Sequence, residues 1–401
     1  MRRVVVTGMA PVCAAGTDHE TMFENLCAMK DYVSEIDRNT AAREHLLTRY
    51  GVLFPEYDDS RYAEKLMTVK KRGSVSSQAA VFAALNALED AGLSEAEKNT
   101  SVFMGVGAPN MPELGKQILT FEERNSTVRM GIPLCMSSSI AAWVSIVLGT
   151  TGRAFCISTA CASGVDAIGN GYESILSGKC DMSVCGGGDC LYDKNHTLLK
   201  SFEYLKAVSD LPDGRSAPFS KERSGFLFSE GGAGVVVLEE LEHALRRNAV
   251  IYAEITGYET SSDAYSIVSI REDGSVIKNM LKNLIGDKKV DYYNAHATGT
   301  VLNDTIEGKV IRELFGSKEQ QPAISATKSI IGHTLGASGV IEAMVCIDSI
   351  RHGKVHGSTC RTIDDDINIS KETRALEIIT AVTASFGFGG HNSSLMIEKY
   401  V

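Results

Sequence analysis

A cysteine, two histidines and a lysine, each in a segment rich in glycine and alanine, are the residues of this 401-residue chain whose types and settings could do covalent chemistry. In ISTACASGVDAIGNGYESIL the pattern predicts a strand ending at Ser158, a turn of small residues, and a helix with the apolar stripe Val165, Ile168, Tyr172, Ile175 and Leu176. Cys161 then stands at a helix N-terminus, where the macrodipole and unpaired backbone N–H groups favour the thiolate and lower the thiol pKa. Ala160, Ala162, Ser163 and Gly164 leave room for a substrate carbonyl. A core cysteine beside a tight strand-to-helix turn is the alternative, and this segment alone does not separate the two.

In YYNAHATGTVLNDTIEG, His296 ends a strand in a small-residue loop, before a helix beginning near Asp304; a buried, satisfied histidine is the competing reading. In ISATKSIIGHTLGASG, Lys328 and His333 lie five residues apart around a glycine turn, with mostly small or apolar flanks. A lysine in that setting costs desolvation energy unless it has a partner or a task. The fourth segment, VTASFGFGGHNSSLMIEKY, interleaves Gly387, Gly389 and Gly390 with Phe386 and Phe388. It lacks the third glycine of a dinucleotide fingerprint and precedes a strand, so phosphate cradling is disfavoured. Its glycines suit either backbone N–H groups facing a ligand, as in an oxyanion hole, or a bulged hairpin turn.

Glycine-bounded β-branched runs at Val4–Thr7, 102–106, 155–158, 182–185, 235–238, 251–258, 290–295, 378–384 and 395–397 must carry these loops. Helical patterns at 79–91, 165–176, 304–314 and 340–351 fall between them. Strands alternating with helices predict α/β layers with sheets buried on both faces. VVVTG and IYAEITGY open two stretches alike, and ACASGVDAIG and GHTLGASGVIEAM each set a small-residue turn before an apolar helix. This suggests a duplicated unit, divided as 1–243 with the cysteine and 244–401 with the histidines and lysine.

Composition narrows the classes further. The chain is 44% hydrophobic and 22% charged with a formal charge of −10, which excludes fibrous and disordered classes and argues against nonspecific nucleic-acid binding. No stretch reaches the length of a membrane helix, and RRVVVTG reads as a first strand rather than a leader, so a cytoplasmic protein is expected. Ten cysteines include no C-x-x-C pair and no zinc-like spacing with histidine.

Taken together, STACASG, NAHATGT, SATKSIIGHTLGASG and SFGFGGHN resemble the motifs of the β-ketoacyl-[acyl carrier protein] synthases, condensing enzymes of fatty-acid and type II polyketide assembly. The similarity continues through RRVVVTG, RSAPFSKERSGFLFSEGGAGVVVLEELEHA and IYAEITGYETSSDA, so it spans essentially the whole chain. It implies an α/β thiolase-type fold, two duplicated halves in a five-layered αβαβα sandwich, usually dimeric. It also implies that Cys161 accepts the acyl chain, that His296 and His333 assist malonyl decarboxylation, and that Lys328 orders the site. The backbone N–H groups of Cys161 and Phe388 would form the oxyanion hole, with the Phe388 side chain as a gate. Asp304, Glu307, Gly387 and Gly389 would support the set.

Such chemistry needs a thiolate to store the acyl chain as a thioester. Neutral imidazole donors must stabilise the enolate left when malonyl thioester loses CO2. Losing one oxyanion-hole donor typically costs about 2.7–4 kcal/mol of barrier. The resemblance implies no metal, flavin or nucleotide bound by the chain. The substrates ride on the phosphopantetheine of an acyl carrier protein, an acidic partner that an acidic chain must meet with a local basic patch. Lys65, Lys70, Lys71 and Arg72 supply one candidate, which Arg124, Arg129, Lys200 and Lys206 could join.

Departures from the family pattern fall where the acyl wall is expected: SIVSIREDG after SSDAY, Trp143 where a histidine is usual, Ser138 and Ser139 for an Asn-Met pair, and APNMPEL at 108–114. They favour a specialised polyketide or polyene pathway over housekeeping fatty-acid elongation. The alternatives are a non-catalytic chain-length-determining partner subunit, expected to lack the nucleophile, and a thiolase-like enzyme acting on coenzyme A esters, expected to carry a Cys-His-Cys set. The enzyme itself is expected as a homodimer or as one member of a heterodimer with a ketosynthase-like subunit.

Overall fold

A computed structural model describes residues 2–36, 45–364 and 366–401. Ten strands form its main sheet: β1 (Val4–Val12), β2 (Ser101–Gly105), β3 (Ala154–Ile157), β4 (Met182–Cys190), β5 (Gly231–Glu240), β6 (Ala253–Ser262), β7 (Tyr292–Asn294), β8 (Ala323–Ser325), β9 (Thr380–Gly387) and β10 (His391–Glu398). Their order is β8-β7-β9-β10-β6-β1-β5-β4-β2-β3. The first five run β3-β2-β4-β5-β1 and the last five β8-β7-β9-β10-β6, so each strand has a counterpart five places later. Pairing repeats as well: β1-β5-β4 and β6-β10-β9 are antiparallel, whereas β4-β2-β3 and β9-β7-β8 are parallel. A short antiparallel register, Val4 opposite Ile255 and Val6 opposite Ala253, joins the two sets.

The helices repeat in the same way. Helices α1 (Val75–Asp90), α2 (Ser139–Leu148) and α3 (Ser163–Leu176) stand in the first set where α4 (Ser275–Ile285), α5 (Val301–Phe315) and α6 (Ser338–His352) stand in the second. Helices α3 and α6 pack on each other and on both strand sets; α1 covers the outside of the first set and α4 that of the second. The result is five layers, the thiolase-type arrangement. It explains why Ser338 through Ile350 are all buried: a helix between two sheets has no solvent face, so its sequence reads apolar or small apart from Glu342 and Asp348, each of which has a cationic partner. One core cluster fills the space around these central helices, and two others lie beneath the outer helices of the two sets.

Most predicted elements occur, with longer ends. The strand predicted at 4–7 continues to Val12, where every residue is buried and Gly8–Val12 keep pairing with β5 beyond the bulge at Thr7. Several elements lie outside the sequence reading, α2, α4, strand β8 and the helix Met111–Arg124 among them. Strand β8 is only three residues long, too short for a period to register. The helix Met111–Arg124 buries no residue and leaves Met111, Leu114, Ile118 and Phe121 exposed. Among the described residues no helix is long and apolar enough to cross a membrane.

Candidate active site

The loops at the ends of β3, β7, β8 and β9 converge on one point. After β3, a 3-10 turn over Ala160–Ala162 leads into α3. Ala160 sits at φ +52°, a left-handed conformation that costs a non-glycine residue about 1–3 kcal/mol. Ser163 secures the turn, accepting from the Thr159 N–H at 2.9 Å and donating to the Ala160 carbonyl at 2.7 Å. Strand β9 passes so close that a Cβ on Gly387 would lie 2.7 Å from the Thr159 carbonyl oxygen, which only glycine permits. Beyond it, Phe388–Gly390 make the turn of the β9–β10 hairpin, with Gly389 and Gly390 at positive φ. Hairpin turn and ligand-facing amide are therefore one structure. The backbone N–H groups of Phe388 and of Cys161 itself both favour the Cys161 thiolate.

The His333 Nε2 lies 3.1 Å from that sulfur. Its other nitrogen, Nδ1, accepts from the Leu335 backbone N–H at 3.2 Å and lies 2.9 Å from the Ser338 hydroxyl. A backbone N–H can only donate, so Nδ1 carries no hydrogen and the neutral ring presents Nε2–H toward Cys161. His296 stands at right angles, its ring centroid 5.8 Å from that of His333, and ligand atoms of Cys161, His296 and His333 all lie within 4.8 Å of one another. Such a set has the composition of a thiolate–imidazole metal site, but the hydrogen on His333 Nε2 makes that ring a donor in the chamber.

Burial drives both imidazole pKa values well below 6.5, and the Lys328 ammonium pushes them the same way, so both rings are neutral. The thiol behaves otherwise than the helix-terminus argument predicts. Burial pushes Cys161 up to about 11, Asp189 adds to the rise, and Lys328 and the two amides only partly oppose it. Desolvation of the sulfur outweighs the positive groups around it.

Lys328 is 2% exposed and donates to Glu342 Oε1 at 2.5 Å. Glu307 takes the His296 N–H at 2.9 Å on one oxygen and the Ala297 N–H at 2.8 Å on the other, pinning the loop that carries His296. Asp304 holds the next stretch, accepting from Gly299 N at 3.1 Å and Phe219 N at 2.8 Å.

Cys161, His296, His333 and Phe388 open on a cavity of about 1140 Å³. Its apolar lining includes Met111, Phe202, Phe226, Val268, Leu335 and Phe388. Trp143, Ser138 and Ser139, expected at an acyl wall, are not among its lining residues. Trp143 packs against the core beneath α1, and the Ser139 hydroxyl accepts from Asn110 at 2.9 Å.

Lys65, Lys70, Lys71 and Arg72 stand exposed on the helix Ala63–Arg72, away from the cavity lining, and Lys70 pairs with Asp59 at 2.6 Å. Lys206 and Arg223 are the basic residues that line the cavity. Arg124 and Arg129 are exposed, and Lys200 is engaged with Glu203 at 2.9 Å.

Sequence reasoning missed Glu342 and Asp189. Glu342 had a signal, a lone acid in the apolar run VIEAMV beyond a lysine that needed a partner. Asp189 had none, since its role depends on two loops distant in sequence.

Comparison with known proteins follows the same residues. A family model described as "Beta-ketoacyl synthase, N-terminal domain" matches residues 1–244, and one described as "Beta-ketoacyl synthase, C-terminal domain" matches 252–360. The 3-oxoacyl-[acyl-carrier-protein] synthase 1 of Escherichia coli K12 is 33% identical, over 100% of this chain and 99% of its own. Among solved structures, the ishigamide ketosynthase/chain length factor is 27% identical with a TM-score of 0.88. A ketosynthase in complex with its type II PKS acyl-carrier protein (AntDE:AntF) is 26% identical with a TM-score of 0.87. In both, all of each chain is covered.

Proposed function

The chain belongs to the β-ketoacyl synthase family, and from that premise we propose that it is a β-ketoacyl-[acyl carrier protein] synthase with Cys161 as its acyl-accepting nucleophile. The observation that carries this reading is the meeting of Cys161, His296 and His333 within 4.8 Å of one another, with His333 Nε2 3.1 Å from the sulfur.

In the first step the Cys161 sulfur attacks the carbonyl of an acyl thioester, the bond to the phosphopantetheine sulfur breaks, and the proton lost by Cys161 ends on that departing sulfur, which leaves as a thiol. The two amides receive the oxyanion that forms in between. In the second step malonyl thioester loses CO2. The electron pair of the broken C–C bond passes into an enolate, whose oxygen faces the N–H donors of His333 and His296. Both rings are neutral, and a neutral ring can still offer an N–H to the oxygen as its charge develops. The enolate carbon then attacks the acyl-Cys161 carbonyl, forming the new C–C bond and returning the sulfur.

In this reading residues 1–243 contribute the nucleophile and 244–401 the donors and Lys328. The acyl carrier protein approaches over basic residues, Lys65, Lys70, Lys71 and Arg72 among them. The chain works as a homodimer or beside a ketosynthase-like subunit. Its ten unpaired cysteines suit the reducing cytoplasm. Retention of Cys161 weighs against a silent chain-length subunit.

The test is intact-protein mass spectrometry after incubation with a panel of acyl carrier proteins, wild type beside Cys161→Ala. An acyl mass gained by the wild type alone is expected. Labelling that survives the substitution overturns the assignment.

A further inference from the structure

Asp189, near the C-terminal end of β4, is 1% exposed, and among the described residues no ion pair reaches it. Its carboxylate accepts three backbone N–H groups from two other loops: Gly107 at 2.7 Å, Ala108 at 3.0 Å and Gly336 at 2.8 Å. Gly107 and Ala108 line the cavity beside Cys161. Gly336 follows Leu335, which is held at φ +49° and gives its own N–H to His333 Nδ1. That donation is what leaves the hydrogen of the ring on Nε2, facing the sulfur. The packing is close: a Cβ on Gly336 would stand 2.7 Å from Asp189 Oδ2 and 2.7 Å from the Gly107 nitrogen.

A buried carboxylate without a cation is costly, and three amide donors recover only part of its lost hydration. Burial accordingly raises its pKa to about 6, while the three amides pull it down. A structural tie between two loops could have been made by a neutral acceptor. A charged one can hold three N–H groups at once, two of them on Oδ2, and it loses that capacity on protonation.

We propose that Asp189 is a positioning residue for condensation: through the Leu335–Gly336 turn its carboxylate keeps His333 in the tautomer that presents Nε2–H to the reacting thioester, while the same carboxylate fixes the Gly107–Ala108 wall. The inference rests on the reading of His333 as an enolate donor given above. The titratable groups that feel Asp189 are the thiols of Cys156, Cys161 and Cys190. The 107–108 and 335–337 turns packed on it carry none. His333, beyond the turn, is neutral in the range where Asp189 titrates.

The experiment compares wild type and Asp189→Asn in three measurements: acyl transfer to Cys161 by mass, CO2 release from malonyl carrier protein, and the pH profile of that release. Asparagine keeps the shape but replaces one acceptor oxygen with a donor. Expected are acylation within about threefold of wild type and CO2 release lower by about 10- to 100-fold. The acid limb near pH 6, present in the wild type, should be absent from the variant. A variant that releases CO2 at the wild-type rate, or keeps the acid limb, overturns the proposal.

Should Asp189→Asn not fold, 15N spectra of histidine-labelled wild type between pH 5 and 8 decide the matter. Loss of the Nε2–H signature of His333 below about pH 6 is expected, and an unchanged tautomer across the range overturns the idea. A wild type that neither takes an acyl mass nor releases CO2 instead overturns the functional reading, and this inference with it.

Discussion

Lys328 and Glu342 form an ion pair inside the protein, Nζ to Oε1 at 2.5 Å, with side chains 2% and 1% exposed. The second carboxylate oxygen has no hydrogen-bond partner among the described residues. The pair therefore holds the ammonium beside Cys161, His296 and His333 at the cost of an imperfectly satisfied acid. Burial lifts Glu342 to about 7 even with the lysine pulling it down.

Removing one member of a buried pair strands the other charge. Glu342→Gln is expected to lose about 3–5 kcal/mol of stability in denaturant unfolding. The double variant Lys328→Met/Glu342→Gln should regain more than half of that loss, yet remain unable to release CO2 from malonyl carrier protein. A double variant as unstable as the single one would show that packing, not charge, is what Glu342 supplies.

The thiol offers a second test. With Cys161 pushed up to about 11 by burial, its alkylation by iodoacetamide should keep accelerating through pH 9 instead of levelling off near neutrality. The Lys328 charge favours the thiolate, so Lys328→Met should shift the curve to higher pH. A plateau below pH 8 in the wild type contradicts the burial argument and restores the helix-terminus one.

That reversal marks where the sequence stopped being legible. The four glycine-rich segments, the alternation of strands and helices and the duplication are local or repeating patterns, so they could be read directly. The duplication makes the strand order of one half repeat that of the other, but the order within a half depends on pairing that no local pattern records. The thiol pKa depends on how completely the fold desolvates one sulfur, a property no spacing encodes. The contacts of Asp189 likewise come from loops about 80 to 150 residues away in sequence, and the donor state of His333 from a local turn whose shape no residue pattern announces. Trp143 shows the converse error: a substitution noticed in the sequence proves to fill the outer core rather than the chamber.

His19 ties the two halves at a point remote from the chamber. Its Nδ1 lies 3.1 Å from Asp348 on α6 and its Nε2 3.5 Å from Asp90 on α1. Burial alone would lower its pKa, but the two carboxylates outweigh it and raise it to about 9. A folded pKa above the unfolded value near 6.5 means stability that is fully present below about pH 6.5 and lost as pH climbs through about 9. The shift corresponds to at most ~3 kcal/mol. His19→Gln should therefore flatten the pH dependence of unfolding free energy between pH 6.5 and 9. A wild-type slope retained in that window would assign it to other groups.

The basic helix can be separated from the cavity rim by charge reversal. Lys70→Glu/Lys71→Glu should raise the KM for carrier protein several-fold with kcat little changed, and the effect should shrink at high salt. Because Asp59 already engages Lys70, most of the change should be reproduced by Lys71→Glu alone. An unchanged KM removes this helix from the docking surface and leaves Lys206 and Arg223 as the cations a carrier protein would meet.

The proposed pairing of subunits is open to the same treatment. Strand β3 ends the sheet and pairs on one side only, with β2, so its other edge presents unpaired backbone groups. Phe155 on that strand is 54% exposed and Ile146 on α2 is 66% exposed, and the helix Met111–Arg124 leaves a further stripe uncovered at Met111, Leu114, Ile118 and Phe121. An edge with this much apolar surface is covered most simply by a second subunit pairing strand to strand, which a two-fold axis allows when the partner is the same chain. Phe155→Lys should accordingly disperse the assembly to monomers in sedimentation velocity at micromolar concentration. Met111 lines the cavity from the helix that carries this stripe, so the monomers should also lose condensation while Cys161 remains open to alkylation. A Phe155→Lys protein that stays dimeric would place the subunit contact elsewhere, and a wild type that is monomeric alone but pairs with a ketosynthase-like subunit would identify it as half of a heterodimer.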